Sequence, residues 1–225
     1  MQGRKQCPMV EPIKDTAELV YFQVRGRAEV IRYILEEAGV SYRNVFVKDD
    51  DMKTLKSSGE LAFGQVPLLR HGDLRLVQSN AIIRYLGRQY NRYGKNTRER
   101  ARIDALLDAA EDVRMKYGKL IWVDKASDEA KAKHLQDVVK PHLGYFEKLL
   151  VKNGDGKGFL VGDSVSIADF SVYEELNKSA RLYPNILSDY PLLKGALYCA
   201  SRAEAFVLRI ESIPKVSDYL KSGNH

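Results

Sequence analysis

The alternation of apolar and polar positions in the first part of the chain predicts a small sheet with helices packed on it. Residues 18–22 form a short apolar run and residues 41–47 alternate, both typical of strands, and the stretch between them repeats apolar residues at helical spacing until Gly39. Two further apolar runs flank a turn at residues 71–73, which indicates a hairpin, and a helix follows over residues 79–89. The predicted order is βαβ, an irregular stretch holding at most a short helix, then ββα.

The chain changes character after a polar linker at residues 90–96, because every periodic stretch beyond it has helical spacing. We therefore predict two domains, a mixed one over residues 18–89 and an all-helical one over residues 97–225. Residues 1–17 hold prolines and charges without periodicity, and we interpret them as a flexible arm with no assigned role. In the second domain, helices are predicted from residue 97, over 128–152 with a bend near Pro141, over 167–180, over 191–202, and once more after that.

Two of these helices begin with the spacing of a capping box. Asn96 stands three residues before Glu99, and Ser166 stands three residues before Asp169. In such a box the first side chain accepts a backbone N–H of the first turn, and the acidic side chain reaches back to the cap residue. We interpret Asp169 as a stabilising residue and not as a catalytic acid.

Composition restricts the class of protein. The 225 residues are 44% hydrophobic and 29% charged, which is typical of a soluble globular chain. No apolar run approaches the ~18 residues of a membrane span, and the start lacks the apolar stretch of a signal peptide, so a cytoplasmic location is expected. Cys7 and Cys199 are far apart in sequence, which favours two free thiols over a disulfide framework or a cysteine-rich metal site. The net charge of +6 comes from 36 basic residues interleaved with 30 acidic ones, which argues against nucleic-acid binding.

Three features of the mixed domain are candidates for chemistry, and each has a plain structural alternative. Tyr21 ends the first apolar run, where a phenol can meet a ligand above the sheet, but it is one of 13 tyrosines and most tyrosines are packing residues. Pro67 follows Gln65 and Val66; a cis bond here would turn the Val66 backbone toward an extended ligand, whereas a trans bond would simply begin an edge strand. Ser79 begins a helix whose free N–H groups suit a carboxylate or phosphate, or it is an ordinary cap.

Read in order, these segments resemble the cytosolic glutathione transferases of the tyrosine type, closest to the pi and sigma classes. The stretch VYFQVRGRAEVIRYIL is similar to their first strand, tyrosine loop and helix, FGQVPLL to their cis-proline segment, and LVQSNAIIRYLGRQY to the turn that binds the γ-glutamyl group. AEDVRMKYGKLIW and FLVGDSVSIADFSVYEEL continue the similarity through the helical half. The resemblance implies a thioredoxin-like domain followed by an all-helical domain, with glutathione as co-substrate, no metal, and a homodimer as the working unit.

The same resemblance implies a role for each matching residue. Tyr21 is expected to be catalytic, as the hydroxyl that activates the glutathione thiol. Asp112 is expected to reach the glutathione bound to the partner subunit, and Phe63 to plug the partner at the dimer interface. Trp122 is expected to line the electrophile pocket. The other glutathione-binding residues implied are Arg27, Gln65, Val66, Pro67, Gln78 and Ser79.

The sequence departs from the pi and sigma classes at the glycyl end of glutathione. Met52 stands where those enzymes carry a tryptophan, and Lys53 and Lys56 are the candidates for the cation that binds the glycyl carboxylate. Met115 and Tyr117 are further candidates for apolar walls around the electrophile.

The function implied is conjugation of the glutathione thiolate to hydrophobic electrophiles, as in detoxification. Two alternatives stay open at this point. One is a glutathione-dependent isomerase, such as a prostaglandin-D-synthase-like sigma enzyme, and the other is a non-catalytic carrier of hydrophobic ligands. The expected partners are a second copy of the chain and small electrophiles.

Overall fold

The computed structural model describes residues 16–194 and 206–223. Most of the predicted arm, both cysteines and the greater part of the helix predicted over residues 191–202 lie outside those ranges. The described part forms a four-stranded sheet with helices, followed by helices alone. None of the helices in it combines the length and the apolar character that a membrane crossing requires.

The four strands are β1 Ala17–Tyr21, β2 Tyr42–Phe46, β3 Leu68–His71 and β4 Leu74–Val77. They form one mixed sheet in the order β2-β1-β3-β4. β1 is parallel to β2 and antiparallel to β3, with Leu19 opposite Asn44 on one side and opposite Leu69 on the other. β3 and β4 form the predicted hairpin. Because β1 and β2 run in the same direction, their carboxyl ends lie at the same edge of the sheet, together with the loop that follows β1.

Three helices complete the mixed domain, and they are α1 Glu29–Ala38, α2 Asp49–Ser57 and α3 Ser79–Gln89. α1 and α3 cover one face of the sheet and contribute to a core that continues into the helical half. Gly39 ends α1 in the left-handed region, at φ 69°, which is the stop that the sequence predicted.

The stretch that was expected to be irregular, with at most a short helix, holds helix α2. Its nine residues begin with three aspartates, whose charges favour a helix N-terminus, and none of the nine is buried. Met52 and Leu55 pack against the second face of the sheet beside Val20 and Leu68. Because few of its positions are apolar, the hydrophobic pattern alone understates this helix.

The helical half is built on α4 Thr97–Trp122, which packs along α7 Ile167–Leu182. Helix α7 also contacts α1 and α3, so it joins the two halves into a shared core. Where one bent helix was predicted over residues 128–152, a π-helical turn, Leu135–Val139, joins two helices just before Pro141. The other helices described are α5 Asp128–His134, α6 Lys140–Lys152, α8 Pro191–Lys194, α9 Phe206–Glu211 and α10 Pro214–Ser222.

One predicted capping box forms completely and the other in part. Asn96 Oδ1 accepts the Glu99 N–H at 3.0 Å, but the Glu99 carboxylate accepts from the backbone N–H one residue before Asn96. Ser166 and Asp169 form the complete box, and Asp169 is fully buried and also accepts the Leu160 N–H at 2.8 Å. Burial raises the pKa of Asp169 to about 6, although these donors act in the opposite direction. Its hydrogen bonds are internal ones, in keeping with a stabilising role.

Candidate active site

Tyr21 ends strand β1 and directs its hydroxyl toward the loop that follows. The hydroxyl oxygen accepts the backbone N–H of Arg27 at 3.1 Å. Gly26 makes this approach possible, because its φ is +43° and a Cβ on it would stand 2.7 Å from the Tyr21 hydroxyl oxygen. Since the oxygen acts as an acceptor in this bond, the phenolic proton stays available for donation to a ligand.

A cavity of about 530 Å³ opens beside this loop. Tyr21 lies next to its wall, because the N–H that holds the Tyr21 hydroxyl belongs to a residue of the wall. The β1–α1 loop, the segment before β3 and the start of α3 meet here, around a space of the size that small-molecule sites usually have. The wall includes six residues that the resemblance assigned to glutathione, and these are Arg27, Gln65, Val66, Pro67, Gln78 and Ser79.

Helix α3 begins at the cavity without a side-chain cap. Gln78 occupies the N-cap position at φ 73° and ψ 108°, an uncommon conformation for a residue with a side chain, and makes no capping hydrogen bond through that side chain. Ser79 is the first helical residue and is buried, so it is not the cap that the sequence suggested. The free N–H groups and the positive end of the α3 dipole therefore lie at the cavity, where they stabilise an anion.

The Val66–Pro67 peptide bond is cis, the rarer of the two forms considered from the sequence. Strand β3 begins at Leu68, so Val66 is not part of the sheet ladder. A backbone segment outside the ladder, at a cavity wall, is able to pair with an extended, peptide-like ligand.

Arg27 supplies the positive charge of the cavity. Its Nη1 lies 2.8 Å from Glu111 Oε1, and its Nη2 lies 3.1 Å from the sulfur of Met115. Glu111 and Met115 belong to α4, so the helical half forms one wall of the site. Across the described ranges, no group of three His, Cys, Asp or Glu side chains is placed to hold a metal ion.

Three residues named from the resemblance, Asp112, Phe63 and Trp122, lie away from this cavity, and so does the further candidate Tyr117. Asp112 is exposed on α4. Phe63 and Trp122 are 68% and 77% exposed in the single chain. Tyr117 packs edge to face against His134, with the ring centroids 6.4 Å apart, instead of lining the cavity.

The two candidate lysines differ in position. Met52 lines the cavity from α2, but Lys53, on the same helix, is exposed and pairs with Asp50 at 3.8 Å. Lys56 Cε lies 3.8 Å from the point where a Cβ on Gly64 would stand, and Gly64 is part of the cavity wall. Of the two candidate lysines, Lys56 is thus the one that lies beside the cavity wall.

Three further wall residues, Phe22, Gly64 and Glu111, were not predicted as site residues. Phe22 packs edge to face against the ring of Tyr21, with the centroids 5.7 Å apart. Glu111 stands three residues before Arg114 on α4, a spacing that is common on solvated helix faces and therefore gave no clear signal of a site.

Comparison with known proteins decides the family. Residues 17–88 match the family model described as "Glutathione S-transferase, N-terminal domain", and residues 111–223 match "Glutathione S-transferase, C-terminal domain". A curated protein from Xenopus laevis, "Glutathione S-transferase P 1", is 40% identical over 206 residues that cover 91% of each chain. The chain belongs to the glutathione S-transferase family.

Further relatives of this glutathione S-transferase agree. The Bufo bufo protein of the same name is 38% identical over 210 residues, 92% of each chain. The solved structure of a pi-class glutathione S-transferase from Onchocerca volvulus superimposes with a TM-score of 0.82 at 33% identity, covering 92% of this chain and 93% of that one. The predicted fold class, a thioredoxin-like βαβ-ββα domain followed by an all-helical domain, and the prediction of a glutathione S-transferase enzyme are confirmed.

Proposed function

We propose that this glutathione S-transferase conjugates the glutathione thiolate to hydrophobic electrophiles, with Tyr21 as the residue that ionises the thiol. The observation that carries the proposal is the Tyr21 hydroxyl, which is held at the cavity wall by the Arg27 N–H and keeps its own proton for donation. In the reaction the sulfur bonds to an electrophilic carbon, the leaving group departs with the bonding electrons, and the thiol proton passes to solvent.

Ionisation of the thiol is the step that needs the protein. A free thiol of pKa ~8.5 is only a few per cent thiolate at neutral pH, and the thiolate is the nucleophile. A phenol that donates to the sulfur stabilises the anion selectively, and lowering the thiol pKa by about 2 units corresponds to about 2.7 kcal/mol. A charge-assisted hydrogen bond from Tyr21, in the field of the Arg27 guanidinium, is of that size.

We assign the parts of glutathione to successive regions of the cavity. The γ-glutamyl carboxylate is assigned to Gln78 and Ser79, because the free N–H groups at the start of α3 favour an anion. The cysteinyl backbone is assigned to Gln65 and Val66, which stand outside the sheet ladder. The glycyl carboxylate is assigned to the side where Lys56 adjoins Gly64.

Ser79→Ala should weaken glutathione binding by about 1 to 3 kcal/mol, because it removes a hydroxyl donor to a charged group. The pKa of the thiol that still binds should stay near the wild-type value, since Tyr21 is untouched. Calorimetric titration with glutathione measures the affinity. Ser171→Ala is the matched control, because Ser171 is a buried serine whose hydroxyl donates to Ile167 O inside α7. Equal affinity for the Ser79 variant and the wild type contradicts the assignment.

The electrophile is assigned to an exposed apolar face of α4. Met115 and Trp122 are both exposed and stand two helical turns apart, so they lie on the same face, about 10 Å from each other along the axis. Gly118 lies between them, and no neighbouring atom lies within 4 Å of a Cβ placed on it. Since Met115 contacts Arg27, an apolar molecule over Gly118 would lie close to the bound thiol.

Gly118→Leu should raise the KM for bulky electrophiles by about tenfold and leave glutathione affinity within about twofold, because the new side chain fills the open space of the second pocket. Leucine favours a helix more than glycine does, so the fold should be preserved. Initial rates with small and large electrophiles measure the effect. Gly144→Leu is the control, because Gly144 lies in α6 and a Cβ there is equally free of neighbours. Unchanged kinetics with large electrophiles would remove the electrophile site from this face.

We also propose that the working unit is a homodimer. Phe63 is a large exposed aromatic residue, and a second cavity, of about 490 Å³, lies between α4 and α6 with walls that include Leu106, Ala109 and Phe146. An exposed aromatic and an apolar cavity on one chain complement each other when two copies are related by a two-fold axis. Asp112 lies on the same face of α4 as Ala109, three residues on, and so would face the partner.

A cytoplasmic location and a role in detoxification complete the proposal.

Two measurements separate glutathione conjugation from the two alternative functions. An isomerase returns glutathione unchanged, whereas a transferase consumes it in proportion to product. A carrier binds hydrophobic ligands without turning over a simple aryl halide in the presence of glutathione. Consumption of glutathione with such a halide is the expected result.

A further inference from the structure

Arg25 and Arg27 stand on either side of Gly26, and both are connected to helix α7. Arg25 Nη2 lies 3.7 Å from Glu174 Oε2, an oxygen that also accepts the Tyr33 hydroxyl at 3.1 Å. The connection from Arg27 is longer and runs through α4. The loop that carries the Tyr21 contact is therefore attached to the helical half at two points.

The connection from Arg27 passes through two side chains of α4. Glu111 uses Oε1 for Arg27, at 2.8 Å, and Oε2 for Arg114 Nη1, at 3.1 Å. Arg114 Nε lies 2.9 Å from Glu175 Oε1 on α7. The four side chains form a row of alternating charge that runs from the cavity into the core, where Lys178 Nζ also lies 3.0 Å from Glu175 Oε1.

The inner half of this row is buried. The side chains of Arg114 and Glu175 are 7% and 2% exposed, and neither residue lines the cavity. Burial lowers the pKa of the Arg114 guanidinium, but the charges of Glu175 and Glu111 more than offset this, so its pKa lies above the usual value. Arg114 is therefore a permanent cation inside the protein, placed behind a cavity residue.

We propose that Arg114 and Glu175 are positioning residues of the conjugation reaction, which act on the bound thiol through Glu111 and Arg27. The proposal rests on the function proposed above, in which Tyr21 ionises that thiol. Arg27 contributes its backbone N–H to the Tyr21 hydroxyl and its guanidinium to the cavity, and both contributions require a fixed Arg27. Glu111 is partly exposed, so Arg114 is the residue that keeps it from turning to solvent.

Loss of the Arg114 guanidinium has two effects, and both disfavour a thiolate. Glu111 loses the bond on its inner oxygen, so Arg27 is held less firmly. The negative charge of Glu111 also stands beside the cavity without its second cation. An uncompensated negative charge near an ionisable group raises the pKa of that group by about one unit. The pKa of the glutathione thiol should therefore rise.

The test is a pH titration of the thiolate absorbance of glutathione bound to the full-length protein. Arg114→Met should raise the thiol pKa by about one unit and lower kcat/KM about tenfold near neutral pH, with the deficit shrinking at high pH, where the thiol ionises unaided. The change should appear in kcat more than in the KM for glutathione. Arg114→Lys should give a thiol pKa between those of the wild type and Arg114→Met, because lysine keeps the charge but lacks the planar guanidinium that bridges two carboxylates.

Arg92→Met is the matched control. Arg92 also makes two short bonds to a carboxylate, both 2.7 Å, with Glu37, but it does not line the cavity. The thiol pKa of glutathione bound to Arg92→Met should equal that measured with the wild type. A folded Arg114→Met protein with the wild-type thiol pKa, or an equal shift in the Arg92 variant, overturns the proposal.

A further variant covers the case in which Arg114→Met does not fold. Arg114→Gln keeps an N–H donor for Glu111 but removes the charge, and it should raise the thiol pKa in the same direction; an unchanged pKa overturns the proposal. The wild type separates this inference from the function on which it rests. If the wild type leaves the glutathione thiol at its free pKa, the proposed function fails. If the wild type lowers that pKa and the Arg114 variants lower it equally, only the positioning role is refuted.

Discussion

Tyr21→Phe should lower kcat/KM for glutathione conjugation by about ten- to a thousand-fold, equivalent to about 1.4 to 4 kcal/mol, with little loss of glutathione affinity. The variant keeps the ring that packs against Phe22 and loses only the hydroxyl that the Arg27 N–H holds at the cavity. Steady-state kinetics and a thiolate titration measure the two consequences. The rate deficit should be largest below the pKa of the free thiol, because ionisation is the contribution that is lost.

Tyr85→Phe is the control for this experiment. Tyr85 is a partly buried tyrosine on α3 whose hydroxyl bonds to His71 Nδ1 at 3.1 Å, and it does not line the cavity. Its variant should lose some stability and no activity. A Tyr21→Phe protein with wild-type kcat/KM rules out Tyr21 as the residue that ionises the thiol.

Phe63→Ser should raise the dissociation constant of the homodimer by about a hundred- to ten-thousand-fold. Burial of one such side chain contributes about 1.5 to 3 kcal/mol, a two-fold interface contains it twice, and each 1.4 kcal/mol is a factor of ten. Activity should fall at low protein concentration and recover as the concentration rises, even though Tyr21 is unchanged. Sedimentation velocity over a dilution series measures the mass.

Three variants make the dimer test specific. Phe46→Ser is the control, because Phe46 is another exposed aromatic residue of the same domain, at 44%, and lies outside the α4–α6 cavity. Ala109→Phe fills the α4–α6 cavity with a side chain of its own subunit, so the partner's Phe63 is excluded and the effect of Phe63→Ser should be reproduced. Asp112→Ala should weaken glutathione binding and leave the dimer largely intact. The proposal fails if the wild type is a fully active monomer at assay concentration.

Local sequence signals predicted several helix boundaries in both halves, since each signal depends on a few neighbouring residues. Gly39 ended a helix because glycine tolerates the left-handed conformation, and Ser166 with Asp169 formed the expected box. The π-helical turn Leu135–Val139 was missed. A π turn adds one residue to a helical turn without altering composition, so the pattern showed only a bend near Pro141.

The candidate site was predictable where each residue belongs to an ordered motif. Gln65, Val66, Gln78 and Ser79 were predicted as one site, and they line one cavity. The alternative in which Ser79 is an ordinary cap was wrong, because Gln78 holds the N-cap position. The cap and the first helical residue are adjacent in sequence, and the backbone angles that distinguish them cannot be read from a sequence pattern.

The amino-acid sequence by itself determined the four strands, most of the helices, their order and the resemblance to the family, because these depend on periodicity and on motifs a few residues long. Only the tertiary structure decided what surrounds the Tyr21 loop. Glu111 and Arg114 read as an ordinary charged pair on a helix surface, until α4 packs against α7 and the β1–α1 loop. Arg114 then meets Glu175, 61 residues away, and Glu111 meets Arg27. Contacts of this kind are set by how elements pack, and side chains distant in sequence leave no local pattern to read.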